Sequence, residues 1–510
     1  MKLKYILGAL FLTMLTTSCQ DFLDRAPENE IPTESVDFTN TSNSYQPVSG
    51  IYSKAAWNLN SWAQLGLKSV RGDDTYKGGS DGDQQIFADI HGFNYSGVPG
   101  FWASGNAWKG DFEIVMSSNL ALGSLNNYQK YAIQESDKNM IEAYKGEVIF
   151  LRGYAYFVLG RLYGGVPVFT DNNSPEAYVK KPHADVMRFI INQMDAAATI
   201  LPAVHPKDMK HRGAASKYSA LALQAKAAAE IADYQTVFTA TEAIINSGLF
   251  ELYPNFYELF NMSGELCSEN LFELQYSFFG EAAGEAKLSD NYFAFQGPSV
   301  GSRFVSQNKF GSNNDQNMGG GWGFLPASDK FVKFMESRGE TTRLEGSIIR
   351  TTGKTDKDGN QYNVTLSGDT LYAGLPGSPK YYSGKAYTPS KELIRNQYGG
   401  DKNAIMIRYA DILLLNAEAR LKLGKGGETI PFNIVRRRAN MPEMASITMD
   451  DIVNERFAEL ALENGERYYD LVRTGYATKE LASQGKGYSE SLRFYPIPQE
   501  QIDLNPNLKD

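Results

Sequence analysis

The sequence predicts a mainly α-helical protein, with a scaffold of paired helices and one large, irregular, loop-rich lobe. Apolar residues recur every three or four positions over long stretches before residue 248 and again after residue 404, as on the buried face of a helix. Between residues 249 and 403 this periodicity fades and glycine becomes frequent. Such a long stretch without periodicity indicates functional loops carried by the helical part.

The helix predicted over residues 139–163 is the one around which the scaffold is organised. Gly164 and Gly165 are expected to end it, because glycine readily adopts the left-handed conformation of a helix C-terminus. Pro167 then forces an extended exit. The apolar stripe of this helix comprises Tyr144, Val148, Leu151, Ala155, Leu159 and Leu162. Helical periodicity also covers residues 46–66, 107–124, 185–199 and 214–247.

The segment 214–247 has the pattern of two helices joined by a short turn. Its first helix carries the stripe Tyr218, Leu221, Ala225, Ala228 and Ala232, and its second runs from Tyr234 to Asn246. A helical hairpin of about 34 residues with small residues at the crossing resembles a tetratricopeptide unit. A similar stripe recurs at Ile405, Tyr409, Ile412, Leu415, Ala419 and Leu423. We therefore expect a tetratricopeptide-like scaffold that begins early in the chain and is completed late.

Five segments follow from these patterns. We predict a lipoprotein signal peptide at residues 1–18 and a lipid-anchored tether at 19–45. Residues 46–248 form the N-terminal helical scaffold, residues 249–403 the ligand-binding lobe, and residues 404–510 the C-terminal helices that complete the scaffold.

The N-terminus has the order of a secretory signal, with Lys2 and Lys4 before an apolar run that ends at Leu15. That run is shorter than the roughly 20 residues that span a bilayer. Residues 15–18, Leu-Thr-Thr-Ser, directly precede Cys19 and resemble a bacterial lipobox. We predict that Cys19 is lipidated and anchors the mature chain, and the alternative is an ordinary signal peptide that contains a cysteine.

Composition argues against several classes of function. The net charge of −9 disfavours a nucleic-acid partner, which requires a basic surface. The four histidines, His91, His183, His205 and His211, show no metal-ligand spacing, and motifs for hydrolases, phosphate binding or dinucleotide binding are absent. A glycosidase needs only two carboxylates, but nothing distinguishes such a pair among the 59 acidic residues. We expect a non-enzymatic binding protein without metal or cofactor.

Several sequence blocks resemble the SusD/RagB family of nutrient-binding lipoproteins. They are CQDFLDRAP after residue 18, FLRGYAYFVLGRLYGGVPVFTD at 150–171, MIRYADILLLNAEARLKLG at 406–424, NIVRRRANMP at 433–442, ERFAELALENGERYYDLVRTG at 455–475 and FYPIPQEQIDLNPNL at 494–508. The resemblance implies a glycan-binding protein, lipid-anchored on the exterior of the outer membrane. It also implies that the protein delivers glycan to a SusC-like TonB-dependent transporter. The alternative is a RagB-like protein that binds peptides or another nutrient with the same kind of partner.

The resemblance also implies where a ligand binds. The first contributing loop is Lys68–Gly79, with Arg71, Asp73, Asp74 and Tyr76 as candidate contacts. From the lobe come Trp322 and either Tyr292 or Phe293. Glycines surround Trp322, so its indole can be exposed in a loop and stack on a sugar ring, and the alternative is that it packs the loop onto the scaffold.

Other residues are expected to be structural. Trp57 and Trp108 are predicted to lie in the core. Glu463 and Arg467 have the spacing of a helical ion pair. Arg152, Arg161, Arg408 and Glu418 are likewise expected to tie helices and loops together. Asp358 and Gly359 predict a hairpin turn.

Overall fold

The structure, a computed structural model, describes residues 36–172, 178–276, 292–298, 304–305, 321–374, 378–392 and 401–509. Helices dominate these residues and the strands are short, so the predicted mainly α fold is confirmed. Among the described residues before position 249 there are eight α-helices: α1 Gln46–Asn58, α2 Trp62–Ser69, α3 Gln85–His91, α4 Trp102–Tyr131, α5 Glu135–Tyr163, α6 His183–Ile200, α7 Lys217–Glu230 and α8 Tyr234–Ile245.

The central helix α5 ends where the sequence predicts. Tyr163 is its last residue, and Gly164 follows with a φ of +73°, the conformation that favours glycine. The predicted stripe from Tyr144 to Leu162 is buried along its whole length. Helices α4 and α6 pack against this helix and enclose it.

Three glycines spaced seven residues apart bring α6 close to α5. A Cβ atom at Gly146 would lie 2.7 Å from Cγ of Leu201, and Cβ atoms at Gly153 and Gly160 would meet the terminal methyl groups of two methionines. The antiparallel partners are Gly146 with Leu201, Gly153 with Met194 and Gly160 with Met187. The close approach of α6 to α5 requires glycine at these positions, because a tightly packed interior has no free volume for a side chain.

The predicted tetratricopeptide-like hairpin is formed by α7 and α8, and a late helix completes it. Helix α12, Tyr409–Leu423, packs against both members of the pair. Asn416 Nδ2 donates to Thr241 Oγ1 over 3.0 Å, and Arg420 forms a 2.6 Å ion pair with Glu242. The scaffold therefore joins distant parts of the chain, as predicted.

Short antiparallel strands lie in the predicted lobe and directly after it. The strands are β1 Asn270–Leu274, β2 Phe304–Val305, β3 Ile348–Arg350, β4 Lys354–Thr355, β5 Gln361–Val364, β6 Thr370–Tyr372, β7 Tyr381–Ser383 and β8 Ala404–Arg408. They pair as β1-β8, β2-β6-β5-β4 and β3-β7. Strands β4 and β5 form the hairpin predicted at Asp358 and Gly359, and Gly359 has a φ of +86°. Helices α9 Tyr292–Gln296, α10 Asp329–Ser337 and α11 Thr342–Ser347 lie between the strands in sequence.

Buried ion pairs join the C-terminal helices to one another and to the rest of the chain. After α12 come α13 Thr429–Arg438, α14 Met449–Leu460, α15 Glu466–Thr474, α16 Ala477–Ala482 and α17 Gln499–Leu504. Arg161 lies 2.8 Å from Glu466, and Arg473 lies 2.7 Å from Glu418. These two pairs agree with the structural role predicted for Arg161 and Glu418.

The predicted ion pair between Glu463 and Arg467 is wrong. Gly465, with a φ of +73°, separates α14 from α15, so the two residues do not share one helix. Glu463 pairs with Arg408 at 2.8 Å, and Arg467 pairs with Asp73 at 2.6 Å.

Candidate functional site

A cleft of about 680 Å³ opens between the end of α1, the start of α2 and the first turns of α4. The indoles of Trp57, Trp62 and Trp102 line it. We call this surface the tryptophan cleft. It is the strongest candidate site in the described residues, because ligand sites are concave, mostly apolar and carry a few polar groups.

Close helix packing builds the floor of the cleft. Asn58 Nδ2 donates to the carbonyl oxygen of Gly110 over 3.2 Å, where α1 meets α4. A Cβ atom at Gly110 would lie 2.8 Å from Cγ of Asn58, so glycine permits this approach. Ser61 caps α2 by accepting from the backbone N–H of Gln64, which sets Trp62 at the first position of that helix.

Two of the indoles are unusually exposed. Trp57 is 63% exposed and Trp102 is 43% exposed. The Trp102 Nε1–H donates to Gln84 Oε1 over 2.7 Å, which holds that ring in place. Because large aromatic side chains are normally buried, two exposed indoles on one cleft indicate a binding surface.

Trp322 lies behind the cleft and touches one of its walls. Its ring meets the ring of Trp62 at a centroid distance of 3.8 Å and an interplanar angle of 64°. Trp322 is partly buried against the main core. Four of the five tryptophans therefore lie on or directly beside one surface, and the fifth, Trp108, is a core residue that is 4% exposed, as predicted.

The two segments predicted to form the site do meet. The backbone N–H of Tyr76 donates to the carbonyl oxygen of Pro326 over 3.0 Å, and that of Gly79 donates to Gly323 over 2.8 Å. Their side chains nevertheless diverge. Tyr76 lies on a different shallow cleft, where its hydroxyl is 3.3 Å from a carboxylate oxygen of Asp329.

Arg71 is enclosed by the C-terminal part of the chain. Its guanidinium lies 4.0 Å from the ring centroid of Tyr468 and 4.1 Å from that of Tyr495. It also donates to the carbonyl oxygen of Arg493 over 2.9 Å. These contacts join the first loop to the C-terminal helices.

Asp73 and Asp74 are buried beside Arg71. Burial acts to raise the pKa of Asp73, but the nearby charges of Arg467 and Lys330 outweigh it and hold that pKa below its ordinary value. Burial raises the pKa of Asp74, which accepts from the backbone N–H of Leu462 over 2.8 Å. We therefore assign these two residues and Arg71 to the scaffold instead of the ligand site.

Three of the predicted residues lie wholly or partly outside the described residues. They are Cys19, which is outside as a whole, and Tyr292 and Phe293, whose side chains are outside. Trp322 and Tyr76 stay predictions as ligand contacts.

The prediction that Trp57 is a core residue is wrong. The buried stripe of α1 is Val48, Ile51 and Ala55, and it continues to Leu59 beyond the helix. Trp57 lies two positions past Ala55, on the opposite side of the helix from this stripe. The position of Trp57 relative to this stripe could have predicted its exposure. Trp62 and Trp102 each stand at the start of a helix, so no preceding stripe indicated whether they are exposed.

The charges around the tryptophan cleft are balanced in pairs. Glu113 pairs with Lys54, and Lys109 lies 2.7 Å from Glu500. Asn58, Ser61 and Asn106 add neutral polar groups to the lining. The cleft thus combines flat apolar faces with hydrogen-bonding groups and no excess of either charge.

Neither a metal centre nor a membrane span is found in the part of the chain that the structure describes. No cluster of three or more histidine, cysteine or acidic side chains there has the arrangement to hold a metal ion. No helix there combines the length and apolar character needed to cross a bilayer.

Known proteins resemble this chain over nearly its whole length. A model of the SusD family matches residues 289–510, and a model described as starch-binding and associating with the outer membrane matches residues 21–228. A SusD-like protein of Bacteroides ovatus is 25% identical over 499 residues, which cover 92% of this chain and 82% of that protein.

Solved structures share the fold. Surface glycan-binding protein A from Bacteroides fluxus aligns with a TM-score of 0.73 at 23% identity, over 91% of this chain and 96% of that one. Surface glycan-binding protein A from Bacteroides thetaiotaomicron, in complex with laminarihexaose, aligns with a TM-score of 0.73 at 20% identity, over 92% and 98%. The two family models together match most of the sequence, so the chain is similar to SusD-family proteins in both its N-terminal and its C-terminal part.

Proposed function

We propose that this protein is a cell-surface lipoprotein that binds a neutral glycan in the tryptophan cleft. The observation that carries the proposal is the exposure of Trp57 and Trp102 on one concave surface. Sugar rings have apolar faces bordered by hydroxyl groups, and an exposed indole offers a flat apolar face for stacking. Asn58 and Asn106 line the same cleft, and their side-chain amides can hydrogen-bond to sugar hydroxyl groups.

The paired charges favour a neutral ligand. An anionic glycan would need basic groups in excess, whereas Lys54 and Lys109 are each already paired with a carboxylate. Relatives support glucans as the first probes, since one matching family is described as starch-binding and one structural neighbour holds laminarihexaose.

Calorimetric titration with laminarihexaose and maltohexaose tests this proposal. We expect one of them to bind, and Trp102→Ala to weaken binding about 30-fold, because a central interface aromatic commonly contributes about 2 kcal/mol. Leu120→Ala, an exposed residue of α4 outside the cleft, is the matched control and should bind like the wild type. Equal affinity of Trp102→Ala and wild type would contradict the site. Binding of peptides with no binding of either glucan would favour the RagB-like alternative.

We further propose that Cys19 is lipidated and anchors the protein to the exterior of the outer membrane. The lipobox-like residues before Cys19 and the family description support this. Cys19→Ala should release the folded protein from membranes, as measured by fractionation. A variant that stays quantitatively in the outer membrane would refute the lipid anchor.

The transporter partnership is also a proposal. Similarity to the SusD family supports delivery of glycan to a SusC-like TonB-dependent transporter. A detergent pull-down from native membranes under inducing conditions should recover a large barrel protein together with this chain. Repeated recovery of this chain alone would argue against the partnership.

A further inference from the structure

A second cleft of about 640 Å³ adjoins the tryptophan cleft. It lies between α4, the segment that follows α5, and α17. Phe112, Phe169, Tyr178 and Leu504 form its apolar walls. We call it the aromatic groove.

The two clefts are continuous along α4. Lys109 and Glu113 line both of them and stand one helical turn apart. These two residues form the ridge between the clefts. A ligand that extends from the tryptophan cleft across this ridge therefore enters the aromatic groove directly.

We propose that the aromatic groove is a second subsite for the same neutral glycan, so that the two clefts together hold one long oligosaccharide. This inference rests on the proposed function, because it assumes that the tryptophan cleft binds sugar. It adds the expectation that affinity increases with the length of the oligosaccharide. It also places ligand contacts in the aromatic groove, outside the segments predicted from the sequence.

A row of packed aromatic rings lies along the groove, from the buried rings of Trp108 and Phe169 to the exposed ring of Tyr178. The ring centroids of Trp108 and Phe112 are 4.9 Å apart, those of Phe112 and Phe169 are 5.8 Å apart, and those of Phe169 and Tyr178 are 4.8 Å apart. Tyr178 is 41% exposed, while Asn505 Nδ2 donates to its carbonyl oxygen over 2.8 Å and holds its backbone against α17. A half-exposed ring on a fixed backbone is suited to stacking on a sugar face.

The ridge between the clefts matches a neutral chain rich in hydroxyl groups. Both of its ion pairs, Lys109 with Glu500 and Glu113 with Lys54, involve well-exposed side chains. Such surface pairs contribute little stability, so sugar hydroxyls can replace one partner at low cost. A polyanion would meet Glu113 and Glu500 here, and a polycation would meet Lys54 and Lys109.

The volumes imply that only a long chain fills both clefts. Each cleft falls within the roughly 300–1,000 Å³ that holds one small ligand. A short oligosaccharide is therefore expected to occupy the tryptophan cleft alone. A longer one adds contacts in the aromatic groove without a second association event.

Calorimetry with laminari- and malto-oligosaccharides of increasing length tests the inference. We expect the octasaccharide of the bound series to bind more tightly than the tetrasaccharide. Tyr178→Ala should weaken octasaccharide binding about tenfold, the effect of losing one contact of about 1.4 kcal/mol, and leave tetrasaccharide binding unchanged. Trp102→Ala should weaken both. Ile133→Ser, an exposed apolar residue outside both clefts, is the control and should weaken neither.

A second variant guards against a folding defect. Leu504 is 75% exposed, so Leu504→Ser should keep the melting temperature and reproduce the selective loss for the octasaccharide. Equal affinity of the two lengths for the wild type, or equal loss at both lengths in Tyr178→Ala and Leu504→Ser, would overturn the second subsite while leaving the tryptophan cleft intact. Failure of both series to bind at any length would overturn the proposed glucan ligand and this inference with it.

Discussion

Trp62 and Trp322 meet edge to face, with their ring centroids 3.8 Å apart. The first belongs to a helix of the scaffold and the second to the loop-rich lobe. Their contact supports one wall of the tryptophan cleft, so the shape of the cleft depends on how the lobe docks. Changes on either side of this contact are therefore expected to affect folding and binding together.

Trp322→Ala should lower both the melting temperature and the glycan affinity. The ring is partly buried against the core, so we expect a loss of about 2 kcal/mol in unfolding free energy, less than the 3–5 kcal/mol of a fully buried tryptophan. Trp57→Ala is the comparison, because its exposed ring should affect affinity with little effect on stability. Urea unfolding and calorimetry separate the two effects. Unchanged stability of Trp322→Ala would show that its ring is a ligand platform alone.

Asp73→Asn should destabilise the fold and leave the glycan affinity of the folded fraction unchanged. Removing the carboxylate leaves Arg467 and Lys330 without their buried partner, which commonly costs about 3–5 kcal/mol. The pKa of Asp73 is held low in the folded state, so its contribution is present above its ordinary value of 3.8 and is lost as the pH falls. Asp185→Asn, at an exposed pair with Arg188, is the control and should be nearly neutral. Loss of glycan affinity in Asp73→Asn with unchanged stability would show that Asp73 contributes to the ligand site.

Because of Glu147, the free energy of unfolding should decrease as the pH rises. Burial raises the pKa of Glu147 from 4.5 to about 8, and its carboxyl group lies near the hydroxyls of Tyr45 and Tyr52. Below 4.5 the group is protonated in both states. Above that value the unfolded state ionises first, so the free energy of unfolding should decrease by up to about 1.4 kcal/mol per pH unit until the pH passes the folded pKa.

Glu147→Gln should remove this pH dependence, because the amide cannot ionise. The measurement is urea unfolding of both proteins at several pH values from 4.5 to 8. We expect the variant to become the more stable protein at the alkaline end. Parallel stability profiles would show that Glu147 does not titrate with a raised pKa.

Gly146→Ala should destabilise the packing of α6 on α5. Its new methyl group would press on Cγ of Leu201, which is anchored near the end of α6, and such overpacking costs about 1–3 kcal/mol. Gly153→Ala meets only the flexible terminal methyl group of Met194, and the higher helix propensity of alanine, about 1 kcal/mol, should offset that contact. Thermal melting should therefore rank Gly146→Ala well below Gly153→Ala. Equal melting temperatures would mean that α6 shifts freely along α5.

The helical scaffold could be predicted because its signals are local. The stripe from Tyr144 to Leu162 and the glycine after Tyr163 specify a helix and its end without reference to any other segment. The hairpin at Gly359 and the helical pair before residue 248 are predicted by the same kind of local pattern. Sequence blocks in family order likewise indicate similarity to the SusD family without reference to the fold.

The candidate site could not be predicted in the same way, because it is assembled from segments far apart in the sequence. The loop with Arg71 and Asp73 resembles a ligand loop in sequence, yet Arg467 and Tyr468 of α15 bury it once the C-terminal helices pack. By themselves, the residues determined the helices, their ends and the polar character of that loop. Only the tertiary structure decided which aromatic rings stay at the surface, since exposure depends on which neighbouring helix covers each ring.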